Sequence, residues 1–161
     1  EQLSHKNYKQ VVKSVETSKE WPENLGVGKP YDNMIDNRLE DYLEAKAAAG
    51  QGDSRKTSAL LAAVADYTIS RSHFESGNLL SALALRESGK VQEADHMVAA
   101  WSTDFPENRV VQWCTAIYRG EKEKAVGMLQ SRNDQTNTTP WEASFRDSNF
   151  DLIVRLFSTE Q

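Results

Sequence analysis

The feature that most constrains the fold is a short phrase in which a glycine is followed five residues later by a small residue and nine residues later by an apolar one. Gly89 stands before Ala94 and Val98 in this way. The same offsets recur later, at Gly120, Ala125 and Leu129, and earlier, at Gly52, Thr57 and Leu61. A glycine bend leading into a helix whose small residue admits a neighbouring helix is typical of helical hairpins. The phrase therefore predicts repeated helix-turn-helix units of unequal length.

Helical periodicity runs through most of the chain. Ile35, Leu39 and Leu43 fall at i, i+4 and i+8, so they share one face of a helix whose other faces are acidic. We predict this helix over residues 32–49, ended by the glycines that follow. Strands are not predicted, because no long segment alternates apolar and polar residues. The pattern predicts further helices over residues 8–19, after Asp53, over 76–88 and 91–102, after Pro106, and over 122–131 and 141–158, with a polar loop over 133–139.

The composition fits a single globular domain over residues 1–161, in which 132–161 form a loop and a C-terminal cap. The chain is 39% hydrophobic and 27% charged, which is sufficient for one continuous core. Its formal net charge is -5 and its cations are not clustered, so no nucleic-acid partner is expected. No apolar stretch approaches the roughly 20 residues of a membrane span, so we expect no membrane insertion.

Several residues could carry chemistry, but each also has a simpler structural role. Four acidic residues recur at intervals of four on one predicted helix: Asp32, Asp36, Glu40 and Glu44. Such a stripe could hold paired catalytic carboxylates or a hard cation, but it is more often a solvated face. The histidines His5, His73 and His96 lack metal-ligand spacing. We therefore predict no catalytic residue, no metal and no cofactor.

Other candidates also favour structural roles. Cys114 is the single cysteine, which excludes an internal disulfide, and it falls on an apolar helix face, so we predict a buried thiol. Gly26 to Pro30 resembles part of a phosphate loop, but Lys29 is followed by proline, so a connector is expected. Trp21, Trp101, Trp113 and Trp141 could stack on a sugar, although core packing is the favoured interpretation.

These residues together resemble the tetratricopeptide-repeat family. The best-matched unit carries the small, large and turn residues of the family pattern at Ala82, Leu85, Gly89, Ala94, Val98 and Pro106. Trp101 departs from the pattern, because the family has a small residue there. The resemblance implies an all-α, right-handed solenoid of about three to four degenerate repeats. A C-terminal capping helix would cover its open end.

The segment from Glu20 to Tyr31 is similar to a phrase in the repeat-containing tails of large bacterial multidomain proteins, often encoded near carbohydrate-utilisation functions. The chain also begins with Glu1 rather than methionine. We therefore expect a C-terminal piece of a longer protein.

The resemblance implies a non-catalytic interaction or scaffold module that binds another protein or an upstream domain of its own chain. Because the predicted helix over 76–88 is apolar nearly all round, only Arg86 and Glu87 remain on it as polar binding candidates. An alternative is an accessory module of a carbohydrate-active protein that contributes to a glycan site. A third hypothesis, a hydrolase using the acidic stripe, requires two of its carboxylates to converge in a cleft.

Overall fold

Eight α-helices follow one another in the part of the chain that the computed structural model describes, which comprises residues 7–20, 35–69, 74–133, 147 and 149–158. They are α1 (Tyr8–Lys19), α2 (Arg38–Gly50), α3 (Ser54–Ile69), α4 (Gly77–Glu87), α5 (Val91–Asp104), α6 (Arg109–Tyr118), α7 (Lys122–Asn133) and α8 (Phe150–Ser158). These residues contain no β-strand, and the predicted all-α class is confirmed. Within the same residues, none of the helices has the length and apolarity required to cross a membrane.

Three of the connections between consecutive helices share one backbone structure. Each is three residues long and has in its middle a glycine with a positive φ, at Gly52 (80°), Gly89 (82°) and Gly120 (74°). Each glycine N–H donates to the carbonyl three residues earlier, and the next N–H donates to the carbonyl five residues earlier, over 2.9 to 3.1 Å. This pair of bonds is the Schellman ending of a helix, and glycine suits it because side chains disfavour positive φ.

These turns join the helices into three helical hairpins, α2 with α3, α4 with α5, and α6 with α7, and the two helices of each hairpin are in contact. Contacts also join the hairpins, from α3 to α4 and from α5 to α6. The first helices of the hairpins touch as well, α2 with α4 and α4 with α6. Helix α4 is therefore enclosed, and every residue from Gly77 to Leu85 is buried.

One apolar core extends from α2 to α8. Small side chains lie within it, and Ala45, Ala82 and Ala94 are fully buried. Alanine at these places lets helices approach more closely than larger residues would allow. A second, smaller cluster joins α1 to α2 through Val11, Val15 and Ala47.

Helix α8 closes the described chain and packs on α6. The ring of Phe150 meets that of Trp113 edge to face, with centroids 5.3 Å apart. Ile153 is fully buried in the common core. Just before α8, the Asp147 carboxylate accepts a hydrogen bond of 2.5 Å from the backbone N–H of Ser76, at the start of α4.

Two predicted helix starts are wrong, for the same physical reason. Residues 35–37 are not helical, because the Asp36 carboxylate accepts from the backbone N–H of Arg38, two residues on, at 3.1 Å. The Asp147 carboxylate likewise accepts from the backbone N–H of Asn149, and α8 begins only at Phe150. An aspartate bonded two residues ahead forms a turn that competes with helix. The predicted helical residues 32–34, 141–146 and 148 lie outside the described residues.

Candidate interaction surface

Arg86 and Glu87, the two binding candidates from the sequence, lie at the C-terminal end of α4. Both are exposed. The Arg86 guanidinium lies 4.7 Å from the Tyr118 ring centroid and donates to the Tyr118 carbonyl at 2.8 Å. The Glu87 carboxylate accepts from the Tyr42 hydroxyl at 2.7 Å and from the Lys46 ammonium at 3.2 Å. Their side chains therefore connect the C-terminal end of α4 to the middle of α2 and to the end of α6, and their role in binding stays a prediction.

Tyr118 extends this connection to α5. Its hydroxyl donates to the Asp95 carboxylate at 2.7 Å. Burial, together with that hydrogen bond and the charge of Asp95, raises the pKa of Tyr118 to about 12. The phenol therefore remains a neutral hydrogen-bond donor at neutral pH.

An open cleft of about 530 Å³ lies beside Glu87, between α3 and the turn that joins α4 to α5. Its floor is apolar and is formed by the buried side chains of Leu61, Ala65 and Leu85. Its rim is polar and includes Ser54, Thr57, Ser58, Asp66, Ser88 and Lys90. We refer to this feature as the α3–α4 cleft. An apolar floor with hydrogen-bonding groups around it suits a ligand with both kinds of surface.

The most extensive polar network of the described residues surrounds Arg38, which no sequence pattern singles out. Arg38 is 2% exposed. Its Nε and Nη2 donate to Asp36 at 2.9 and 2.8 Å, and Nη2 also donates to Glu75. Its Nη1 donates to Thr68 at 2.7 Å and to Asn78 at 2.6 Å. All five N–H groups of the guanidinium thus have acceptors, which a buried arginine requires.

Hydroxyl groups continue this network into α3 and α4. The Ser81 hydroxyl donates to the Val64 carbonyl at 2.7 Å, so it accepts from the Thr68 hydroxyl, also at 2.7 Å. Thr68 in turn accepts from Arg38. The direction of each hydrogen bond is therefore determined. The backbone of Gly77 lies so close to the guanidinium that a methyl group there would be 2.6 Å from its carbon. The network holds the start of α2 to the end of α3 and the start of α4.

The acidic stripe of α2 divides between two separate sets of cations. Asp36 bonds to Arg38, whereas Glu44 bonds to Lys19 of α1 at 2.9 Å and to Lys56 of α3 at 2.8 Å. Burial alone would raise the pKa of Glu44, but the hydrogen bonds and charges of Lys56 and Lys19 lower it below its ordinary value. Asp32 lies outside the described residues. Glu44 therefore joins α2 to α1 and α3, Asp36 bonds to Arg38 at the start of α2, and the two carboxylates serve different cations.

The remaining candidates are placed as follows. Cys114 is fully buried, and burial together with the charge of Asp147 raises the pKa of its thiol well above the ordinary value. Trp101 and Trp113 lie in the core. His96 lines a shallow depression on α5. Among the described residues, no group of three or more metal-ligating side chains forms. Trp21, Trp141, His5, His73, the segment from Gly26 to Pro30 and residues 134–139 of the predicted loop lie outside the described residues. Asn133, predicted as the first residue of that loop, is instead the last residue of α7, because the helix continues two residues beyond its predicted end.

Comparison of the chain with protein-family models, with curated proteins and with solved structures found no match. Function is therefore inferred from the geometry of the surfaces.

Proposed function

We propose that the chain is a non-catalytic interaction module, built as a right-handed solenoid of three tetratricopeptide-like hairpins with α8 as its cap. The observation that carries this proposal is the identical Schellman turn at Gly52, Gly89 and Gly120. Units that repeat along a chain reproduce both the length and the bonding of their turns, as these three connections do.

Contacts between the hairpins support the stacked arrangement. The Tyr42 hydroxyl of α2 reaches Glu87 of α4, and Arg86 of α4 reaches Tyr118 of α6. The first helices therefore lie side by side along one edge, as neighbouring repeats of a solenoid do. The common core from α2 to α8 is consistent with the same arrangement.

The α3–α4 cleft is the surface where we place the binding of a partner. A protein segment would set an apolar side chain on Leu61 and Leu85 while its backbone bonds to the hydroxyls and charges of the rim. The partner is another protein or a preceding domain of a longer chain. A protein segment is favoured over a glycan, because both described tryptophans are buried and present no ring face for a sugar.

Matched tryptophan substitutions on α3 test this function. Ala62 and Ala63 are both exposed, but only Ala62 lines the cleft. Peptides that bind the wild-type chain would first be selected from a displayed random library. Their affinity for each variant would then be measured by calorimetry. We expect Ala62→Trp to weaken their binding at least ~10-fold, about 1.4 kcal/mol, by filling the cleft, while Ala63→Trp leaves it unchanged.

Two results would contradict the proposal. One is a set of selected peptides whose affinity is the same for Ala62→Trp as for the wild-type chain. The other is the absence of any selected peptide together with saturable tryptophan fluorescence changes on titration with a glycan panel, which would favour the carbohydrate-binding alternative.

A further inference from the structure

Helix α8 packs against the core through a regular apolar stripe on one of its faces. Phe150, Ile153, Val154 and Phe157 fall at positions 1, 4, 5 and 8 of the helix, so they share one face. Phe150 and Ile153 are buried, and the other two are half-buried against the core. The surface beneath, on α6 and the start of α4, thus already accepts an amphipathic helix.

Helix α8 is short, and fewer of its side chains are buried than those of α4. It has nine residues, which is too short for a helix to persist in water without docking. Only two of its side chains are fully within the core, whereas α4 buries nine consecutive residues. Leu152 of α8 is 47% exposed. A short helix with few buried anchors belongs to the part of a protein that opens locally at lowest free energy.

The covered surface also retains an unmet polar group. Trp113, whose ring contacts Phe150, is 1% exposed, and its Nε1–H has no hydrogen-bond acceptor among the described residues. A buried donor without an acceptor disfavours the docked state. A different helix that brings an acceptor to this nitrogen would remove that cost.

We propose that the surface of α6 and the start of α4 beneath α8 is a second binding site, which accepts an amphipathic helix of a partner protein after α8 has moved away. The pattern of α8 defines the partner: an acidic residue before the first turn, an aromatic residue at position 1 and aliphatic residues at positions 4 and 5. The acidic residue reproduces the contact of Asp147 with the backbone N–H of Ser76. This site is separate from the α3–α4 cleft, so either proposal can fail without the other.

The test uses the full chain and a labelled synthetic peptide with the sequence of residues 147–158. In the variant Phe150→Ala/Ile153→Ala, the chain's own α8 loses its two buried anchors. We expect the peptide to bind this variant at least ~10-fold more tightly than it binds the wild-type chain, whose α8 competes. A peptide carrying the same two alanines should not bind, and Leu152→Ala in the chain should behave as wild type.

Cys114 provides a second measurement, because it is the single cysteine and is fully buried on α6 next to Trp113. We expect a thiol reagent to label the double variant at least ~10-fold faster than the wild-type chain, and added peptide to restore slow labelling. If the double variant loses its helical circular dichroism, the single variant Phe150→Leu replaces it, because this change removes the ring contact but keeps an apolar side chain. Its peptide affinity and its rate of thiol labelling are measured in the same way.

Three results would overturn the proposal. A helical variant that does not bind the peptide would show that the surface is no helix acceptor. Equal affinity for variant and wild type would place the peptide elsewhere. Light scattering that shows the wild-type chain exchanging α8 between two copies would assign the surface to a second copy instead of a partner protein.

Discussion

Arg38 shows how much of the fold depends on one side chain. Its guanidinium joins α2 to Thr68 of α3 and to Asn78 of α4, which lie 30 and 40 residues further along the chain. The Tyr67 ring lies 4.6 Å from the guanidinium carbon and covers it. Burial of this charge costs desolvation energy, and loss of any one acceptor would leave part of the charge uncompensated. The network therefore fixes the geometry at which the first two hairpins meet.

Replacing Thr68 by valine tests this network with almost no change in side-chain shape. One Arg38 N–H would lose its acceptor in a buried position, so we expect the free energy of unfolding to fall by about 1–3 kcal/mol. Thr103→Val is the matched control, because its hydroxyl is exposed and bonds only to the Ala99 carbonyl of its own helix. That control should change stability by less than about 0.5 kcal/mol in chemical denaturation. Equal effects of the two substitutions would contradict a special role for Thr68.

The polar residues of the site could be predicted only in part. Arg86 and Glu87 can be recognised from the sequence because their helix is otherwise mostly apolar, and both are exposed in the structure. Their partners Tyr42 and Tyr118 lie 45 and 32 residues away, and no local pattern connects them. Arg38 gave no signal at all, since arginine at the start of a helix is ordinarily solvated.

At the scale of elements, the three Schellman turns determine where the chain reverses. In all three, a methyl group added to the glycine would meet nothing within 4 Å. The glycines are therefore required by backbone conformation and not by packing. Because the turns were visible in the sequence as glycines at fixed offsets from small residues, the hairpins could be predicted well.

Alanine substitutions at these glycines should change the free energy of unfolding in the opposite direction from the same substitution inside a helix. Gly52→Ala, Gly89→Ala and Gly120→Ala should each lower the free energy of unfolding by about 1–2 kcal/mol, because alanine resists a positive φ. Gly127→Ala is the control: it lies inside α7, has open space around it and lacks a positive φ. It should raise stability by about 0.5–1 kcal/mol. Thermal and denaturant unfolding measure these changes, and a stabilising effect at any turn glycine would refute the argument.

Helix ends that depend on a single side chain were harder to predict. The first helix and the end of α2 follow from periodicity and glycine signals, within one residue. The starts of α2 and α8 do not, because Asp36 and Asp147 bond to the backbone two residues ahead. An aspartate in that role has the same place in the helical pattern as one on a solvated face. Only the bond itself distinguishes them.

At the scale of the molecule, periodicity predicts which faces are apolar but not how the helices are arranged. The α3–α4 cleft depends on the separation of α3 from the turn after α4, which is set by contacts among α2, α3 and α4 together. The core position of α8 depends likewise on Trp113, far from it in the sequence. Such distances arise only after packing, so neither surface could be located from the chain alone.

The central claim is that three similar helical hairpins stack with their first helices side by side. Proton NOE spectroscopy in solution tests it most directly at the two places where hairpins meet. We predict NOEs between the Tyr42 ring and Glu87, and between the Tyr118 ring and an Arg86 side chain shifted upfield by that ring, whose centroid is 4.7 Å from the guanidinium carbon. A chain with helical chemical shifts in which both sets of NOEs are absent would contradict the stacked arrangement.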